Sequence, residues 1–160
     1  ESSNKIIQSG EIVSFDTDMV GPYGYCADIS RTYVEGNKFS DNQKKLYSMA
    51  VEQIHHNARL IKPGMSFKEF TEKSWVLPEE YYGNRYSVMV HGIGLCDEWP
   101  AIRYPTDGGE RSGTFETNMT ITVESYIGKV GGNEGVKLEQ QYLVGKNNLE
   151  LMSHHPLEDI

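Results

Sequence analysis

Phe15-Asp16-Thr17-Asp18-Met19-Val20-Gly21-Pro22-Tyr23-Gly24-Tyr25-Cys26-Ala27-Asp28 reads as a strand, a turn and the start of a returning strand. The outgoing strand begins at Ile12, Gly21-Pro22-Tyr23-Gly24 carries the turn chemistry, and the return runs from Cys26 to Val34. Gly and Pro between two β-rich runs mark a reversal of the chain. A register symmetric about Tyr23 puts Asp18 directly opposite Asp28, and side-chain alternation puts Asp16 on their face. Like charges facing each other across a strand pair are destabilising. A bound cation removes the conflict.

The same pattern recurs at the other end of the chain. Thr120 to Ile127 and Val136 to Val144 are β-rich runs around Gly131-Gly132, and folding about that pair sets Glu124 opposite Glu139. A single aspartate on a strand is ordinarily a solvated surface residue. Facing pairs in two hairpins, with His91 inside the apolar run Val88-Met89-Val90, do not fit that description. Burial of an imidazole without a partner is costly. Five carboxylates and one imidazole make a hard, oxygen-rich set suited to two divalent ions such as Fe(II), Mn, Co or Zn. Two such ions sharing carboxylates clamp an oxygen-bearing substrate. There is no cysteine cluster of the structural-zinc kind.

The order Asp-x9-Asp, His, Glu, Glu, with His91-Gly92-Ile93-Gly94-Leu95, resembles the creatinase/methionine aminopeptidase family of "pita-bread" metallopeptidases, over roughly Ile12 to Val144. The resemblance implies an α+β pita-bread fold and a dinuclear centre with Asp16, Asp18, Asp28, His91, Glu124 and Glu139 as ligands. It also implies a homodimer and a domain N-terminal to the catalytic one. The sequence departs from the peptidases of this family at four places. Glu98 stands where they carry a second His, Ser125 where Pro follows the Glu, Lys137 where an Arg precedes the last Glu, and Asp16-Thr17-Asp18-Met19 where Asp-x-Gly is usual. That second His assists peptide hydrolysis. With its loss, the whole set is similar to the dimethylsulfoniopropionate lyase branch, which uses the scaffold for elimination. Iron is the metal this resemblance favours.

Elimination explains the substitutions. Cleavage to acrylate and dimethyl sulfide removes a proton α to a carboxylate and expels a neutral sulfide from the β carbon. Metal ions on the carboxylate acidify that proton, and a positioned base takes it. The resemblance assigns the base to Asp97, six residues beyond His91; the bland alternative is a loop aspartate capping a turn. Aromatic faces hold a sulfonium without offering a nucleophile, and the resemblance assigns such a contact to Tyr86. Trp99 and Tyr104 are weaker aromatic candidates, and for any one of the three core packing is at least an equal reading. Two other classes stand beside the lyase. One is an Xaa-Pro-type metallo-aminopeptidase, weakened by Glu98 and Lys137. The other is a metal-free binding module, which loses ligands that this chain keeps.

Composition sets the remaining bounds. One hundred and sixty residues, 38% hydrophobic, suit one domain. The net charge of −8 gives no sign of nucleic acid or an anionic membrane as partner, and a small molecule is the expected substrate. No apolar run reaches transmembrane length and no signal peptide is present. Cys26 and Cys96 leave a disulfide open, a reduced cytoplasmic protein being the simpler reading. The chain starts at Glu1 and enters a strand at once, so residues 1–160 are expected to be a partial catalytic domain. Ser40-Asp41-Asn42-Gln43 resembles a capping box. It opens a helix to Ile61 with Leu46, Ala50, Ile54, Ala58 and Ile61 on one face. Ser66-Phe67-Lys68-Glu69 opens a second helix that stops near Pro78, and Arg103 to Gly113 reads as a loop. His55 and His56 point to different sides of the helix, and His154 and His155 lie in a polar tail. None of the four belongs to the ligand set.

Overall fold

The computed structural model describes residues 4–36, 38–95, 97–109 and 112–158. The described elements are β1 (Ile12–Asp16), β2 (Met19–Val20), β3 (Cys26–Ala27), β4 (Ser30–Val34), α1 (Asp41–Leu60), α2 (Phe67–Lys73), α3 (Glu79–Tyr82), β5 (Val88–Gly92), β6 (Ala101–Arg103), β7 (Thr120–Gly128), β8 (Gly135–Val144) and β9 (Leu149–Leu151). Strands β6-β5-β7-β8-β9 form one antiparallel sheet. The α1 helix covers one face of β7 and β8, and the β1/β4 hairpin lies against β8. This mixed architecture is the expected α+β class.

Both hairpins have the register the sequence implies. Ile12 pairs with Val34 and Val20 with Cys26, symmetric about Tyr23. Glu124 pairs with Glu139, symmetric about Gly131-Gly132. One expectation fails. The run from Cys26 to Val34 is not a continuous strand, because the ladder breaks at Asp28-Ile29 opposite Thr17-Asp18. The Thr17 hydroxyl fills the break, donating to the Ile29 carbonyl (2.9 Å) and accepting from the Ile29 N–H (3.4 Å). A side chain thus replaces the ladder bonds where the two aspartates face each other.

The α1 helix begins with a complete capping box. The Ser40 hydroxyl accepts from the Gln43 N–H, and the Gln43 side chain accepts from the Ser40 N–H. Loss of such a cap costs about 1 kcal/mol. Its buried face is wider than the apolar period implies and includes Gln43, Gln53 and Asn57. Gln53 receives a 2.6 Å hydrogen bond from Ser125 and donates to the Tyr104 hydroxyl (2.5 Å), while Asn57 accepts from the Trp75 N–H (2.9 Å). Buried amides persist through such partners, although Asn57 Nδ2 has none among the described residues. Phe67, Phe70 and Phe115 meet edge to face beneath the sheet with Ile54, Val123, Val136 and Leu138, all buried.

Three boundaries differ from expectation. The second helix ends at Lys73, not near Pro78, and the Ser74 hydroxyl bonds to the Thr71 carbonyl just beyond it. Tyr81-Tyr82-Gly83-Asn84, whose sequence reads as a loop leading to the strand of His91, begins inside a short turn of helix, Glu79–Tyr82. Arg103 ends β6 instead of opening a loop. Among the described residues, no helix is long and apolar enough to cross a membrane.

Candidate metal centre

The two hairpins deliver their acidic residues to one place. His91 lies at the centre on β5, paired with Thr122 of β7, and is buried. Its Nδ1 is 3.0 Å from the Gly92 carbonyl. A carbonyl only accepts, so Nδ1 carries the hydrogen and Nε2 faces the carboxylates. From Nε2, Glu139 Oε1 is 3.1 Å away, Asp28 Oδ2 3.6 Å and Glu124 Oε1 3.8 Å. Metal-binding histidines are oriented in this way, with the remote N–H tied to an acceptor.

Asp16 and Asp18 approach from the broken hairpin. The Ser30 hydroxyl lies 2.5 Å from Asp16 Oδ1 and 2.9 Å from Glu139 Oε2, and so bridges the two hairpins. Asp18 is exposed and lies apart from the imidazole. One ligand atom each from Asp18, Asp28 and Asp97 falls within a 4.8 Å group, and Asp28, His91 and Glu139 form a second such group. Asp28 belongs to both. Asp97 is exposed on a loop held close to β5 by Gly92, whose N–H donates to the Pro100 carbonyl (2.9 Å). A Cβ at Gly92 would lie 2.0 Å from the Trp99 carbonyl oxygen, so only glycine permits this approach. Cys96 of the same loop lies outside the described residues.

The aromatic candidates separate. Tyr86 is partly exposed, with its hydroxyl 3.5 Å from Glu98 Oε1 and its ring centroid 4.7 Å from Lys137 Nζ. Trp99 is exposed. Tyr104 is no site aromatic. It is buried in the core, its hydroxyl taken by Gln53 and its ring against Tyr82. His155 pairs with the Tyr33 hydroxyl (2.8 Å) and His56 with the Lys73 carbonyl (3.1 Å), away from the acidic cluster.

Three residues of the site, Ser30, Thr17 and Arg31, and the contacts of a fourth, Lys137, were not expected from the sequence. Lys137 Nζ is 2.5 Å from Glu124, 3.5 Å from Glu139 and 3.6 Å from Asp16. Ser30 is the bridge described above, and Thr17 fills the ladder break. Buried Arg31 bonds the Glu139 carbonyl (2.6 Å), Gln140 Oε1 (2.7 Å) and the Pro156 carbonyl (3.0 Å), which ties β4 to β8 behind the carboxylates. Side-chain alternation offered a signal for two of them. Ser30 is two residues from Asp28 and Lys137 two from Glu139.

Five carboxylates against one ammonium leave the cluster short of positive charge. Burial lifts the Asp28 carboxyl to about 8, with Glu139, Asp18 and Asp16 adding repulsion. Burial also lifts Glu124 to about 7, against the pull of Lys137. For Glu139 burial acts upward too, but the His91 hydrogen bond and the Lys137 charge hold it at about 2. Burial disfavours the imidazolium of His91, yet Glu139 and Glu124 outweigh it and raise the group to about 9. Among the described residues, two buried oxygens, Asp28 Oδ1 and Glu124 Oε1, accept no hydrogen bond. A buried acceptor left unpaired is expensive, and these belong to hard ligands turned toward one another. The residues present fit divalent cations.

Comparison with known proteins agrees with this geometry. The sequence pattern of metallopeptidase family M24 matches residues 1–146. The chain is 39% identical over 162 residues to a dimethylsulfoniopropionate lyase of Roseovarius nubinhibens, covering 99% of this chain and 36% of that protein. It is 36% identical over 162 residues to a dimethylsulfoniopropionate lyase of Roseobacter denitrificans, with the same shares covered. In structure it is similar to the prolidase from Pyrococcus horikoshii, with a TM-score of 0.81 and 27% identity over 99% of this chain and 44% of that one. The chain therefore spans a little over a third of the length of the curated lyases it matches.

Proposed function

This chain belongs to metallopeptidase family M24, a pita-bread family of divalent-metal enzymes, and we propose that within it the protein is a dimethylsulfoniopropionate lyase. The observation that carries the reading is the place of Asp97. This exposed carboxylate, which stands outside the six candidate ligands, comes within 4.8 Å of Asp18 and Asp28 at the open side of the centre. A base there reaches a substrate held at the acidic cluster without being buried among the ligands. Asp16, Asp18, Asp28, His91, Glu124 and Glu139 would hold two divalent ions, with iron as the proposed metal. When bound, the ions supply positive charge that anchors the substrate carboxylate and acidifies its α proton.

The protein's own groups do the rest. Asp97 accepts the α proton, and the electron pair of that C–H bond becomes the second bond of the alkene. The Cβ–S bond breaks with its pair passing to sulfur, so acrylate and neutral dimethyl sulfide leave together. The Tyr86 ring offers the sulfonium a π face, with Glu98 beside it adding negative charge. Burial together with Glu124 and Glu98 pushes the Tyr86 hydroxyl up to about 12, which keeps it protonated and non-nucleophilic. The likeness to two named lyases at 36% identity or more supports this reading.

One observation favours a hydrolase instead, namely the close likeness in fold to a prolidase. Glu98 weighs against it. A carboxylate in place of the peptidase histidine adds negative charge near a developing oxyanion. The test sets headspace detection of dimethyl sulfide beside an X-Pro dipeptide panel, using the protein from the longest reading frame that carries this chain. Elemental analysis of the same sample reads the metal.

A further inference from the structure

The Lys137 ammonium occupies part of the centre that the reading above assigns to divalent ions. Strand geometry brings it there. Lys137 lies two residues before Glu139 on β8 and so shares its face. Its Nζ reaches Glu124 Oε2 at 2.5 Å, Glu139 Oε2 at 3.5 Å and Asp16 Oδ2 at 3.6 Å. The other side of the cluster is different. Asp28, His91 and Glu139 converge there around the imidazole Nε2, 3.6 Å from Asp28 and 3.1 Å from Glu139, and among the described residues Asp28 Oδ1 accepts no hydrogen bond. One side holds an ammonium that no metal can coordinate, and the other holds an imidazole nitrogen of the kind that ligates metal ions.

We propose that Lys137 is a tethered counter-ion that competes with the second divalent ion. The first ion loads tightly at Asp28, His91 and Glu139. The second loads only by displacing the ammonium from Glu124, Glu139 and Asp16. Two cations cannot both sit in contact with the same three carboxylates without strong mutual repulsion. The displaced ammonium has somewhere to go, because the Tyr86 ring centroid is already 4.7 Å from Nζ and aromatic faces attract cations. Lysine suits this role better than arginine. It is a point charge on a flexible stem, whereas a guanidinium holds carboxylates in a rigid fork.

The inference rests on the proposed metal centre, and one titration separates the two. Chelator-stripped full-length protein is titrated with Mn(II), followed by calorimetry for affinity and electron paramagnetic resonance for the number of coupled ions. The expected wild-type isotherm has two steps at least tenfold apart, with a spin-coupled signal only in the second. Lys137→Met should tighten the second step at least tenfold and leave the first unchanged, while Lys137→Arg keeps the steps apart. Lys137→Gln serves as the neutral variant if the methionine variant does not fold. Two equal steps in the wild type overturn the proposal. So does a neutral variant in which the second step is unchanged or both steps weaken, since a merely structural lysine gives that result. Folded wild-type protein that binds no Mn(II) removes the metal centre as well.

Discussion

The two acidic hairpins solve one electrostatic problem in opposite ways. The β7/β8 hairpin sets Glu124 against Glu139 in an unbroken ladder at the middle of the main sheet. Its carboxylates are buried, and His91 and Lys137 supply the neighbouring positive charge. The hairpin that carries Asp16, Asp18 and Asp28 lies outside that sheet, and its ladder parts where Asp18 and Asp28 face each other. There the Thr17 hydroxyl stands in for the missing backbone bonds. The buried hairpin holds its carboxylates in a fixed place. The broken one brings Asp18 and Asp28 within 4.8 Å of Asp97.

Removing one carboxylate from each side should therefore have different consequences. Asp97→Asn, on the open side, should lower elimination by about 10²- to 10⁴-fold, the range for loss of a general base. Metal content and melting temperature should stay near wild type. An active variant would move the base elsewhere, and a variant that loses metal would make Asp97 a ligand.

Glu139→Ala attacks the buried side. It strips His91 and Lys137 of one of their two shared partners, leaving Glu124, and breaking a buried charge pair costs about 3–5 kcal/mol. Chemical denaturation of the metal-free protein and elemental analysis of the loaded one should both report a loss. Asp18→Ala, exposed at the break, should reduce bound metal while changing metal-free stability by less than about 1 kcal/mol. Equal destabilisation by the two variants would erase the distinction between the hairpins.

The pH dependence of metal-free stability sharpens the same contrast. Asp28 and Glu124 have folded values raised to about 8 and about 7, so the folded state binds their protons more tightly than the unfolded chain. His91, raised to about 9, behaves likewise. Stability from all three is lost as pH rises through these values. Glu139, held at about 2, acts in the opposite sense, and its contribution disappears only in strong acid. Metal-free protein should thus melt at progressively lower temperature from pH 5 to 9, and saturating metal should remove most of that slope. A flat metal-free profile would show that the carboxylates are not crowded as described.

The smallest expected effect concerns the break itself. Thr17→Val removes the hydroxyl that bridges to Ile29 and should cost about 1 kcal/mol. The measurable companion is faster amide exchange at Ile29, with β7 and β8 unaffected.

Much of the centre was legible because a strand has a period of two. Once the turns at Tyr23 and at Gly131-Gly132 are placed, the facing of Asp18 with Asp28 and of Glu124 with Glu139 follows. The ladder break was not legible. It depends on how the strands accommodate facing charges, and nothing in the composition of Thr17-Asp18 announces it. Lys137 shares the face of Glu139, but a lysine on a strand ordinarily reaches solvent. Here Glu124, Glu139, Asp16 and the Tyr86 ring gather around it. Tyr104 resolves to the core-packing reading, because tertiary packing turns it inward against Gln53 and Tyr82. Gln53 and Asn57 were hidden for a related reason. A count of apolar periodicity on α1 cannot register buried amides whose partners, Ser125, Tyr104 and Trp75, come from elsewhere in the chain.

The central claim is elimination by a base beside a divalent-metal cluster. It is tested most directly by incubating metal-loaded full-length protein with dimethylsulfoniopropionate or with an X-Pro dipeptide, and measuring dimethyl sulfide, acrylate and free proline together. The account predicts equimolar dimethyl sulfide and acrylate with little proline. Rapid release of proline with no dimethyl sulfide would contradict it and return the site to peptide hydrolysis.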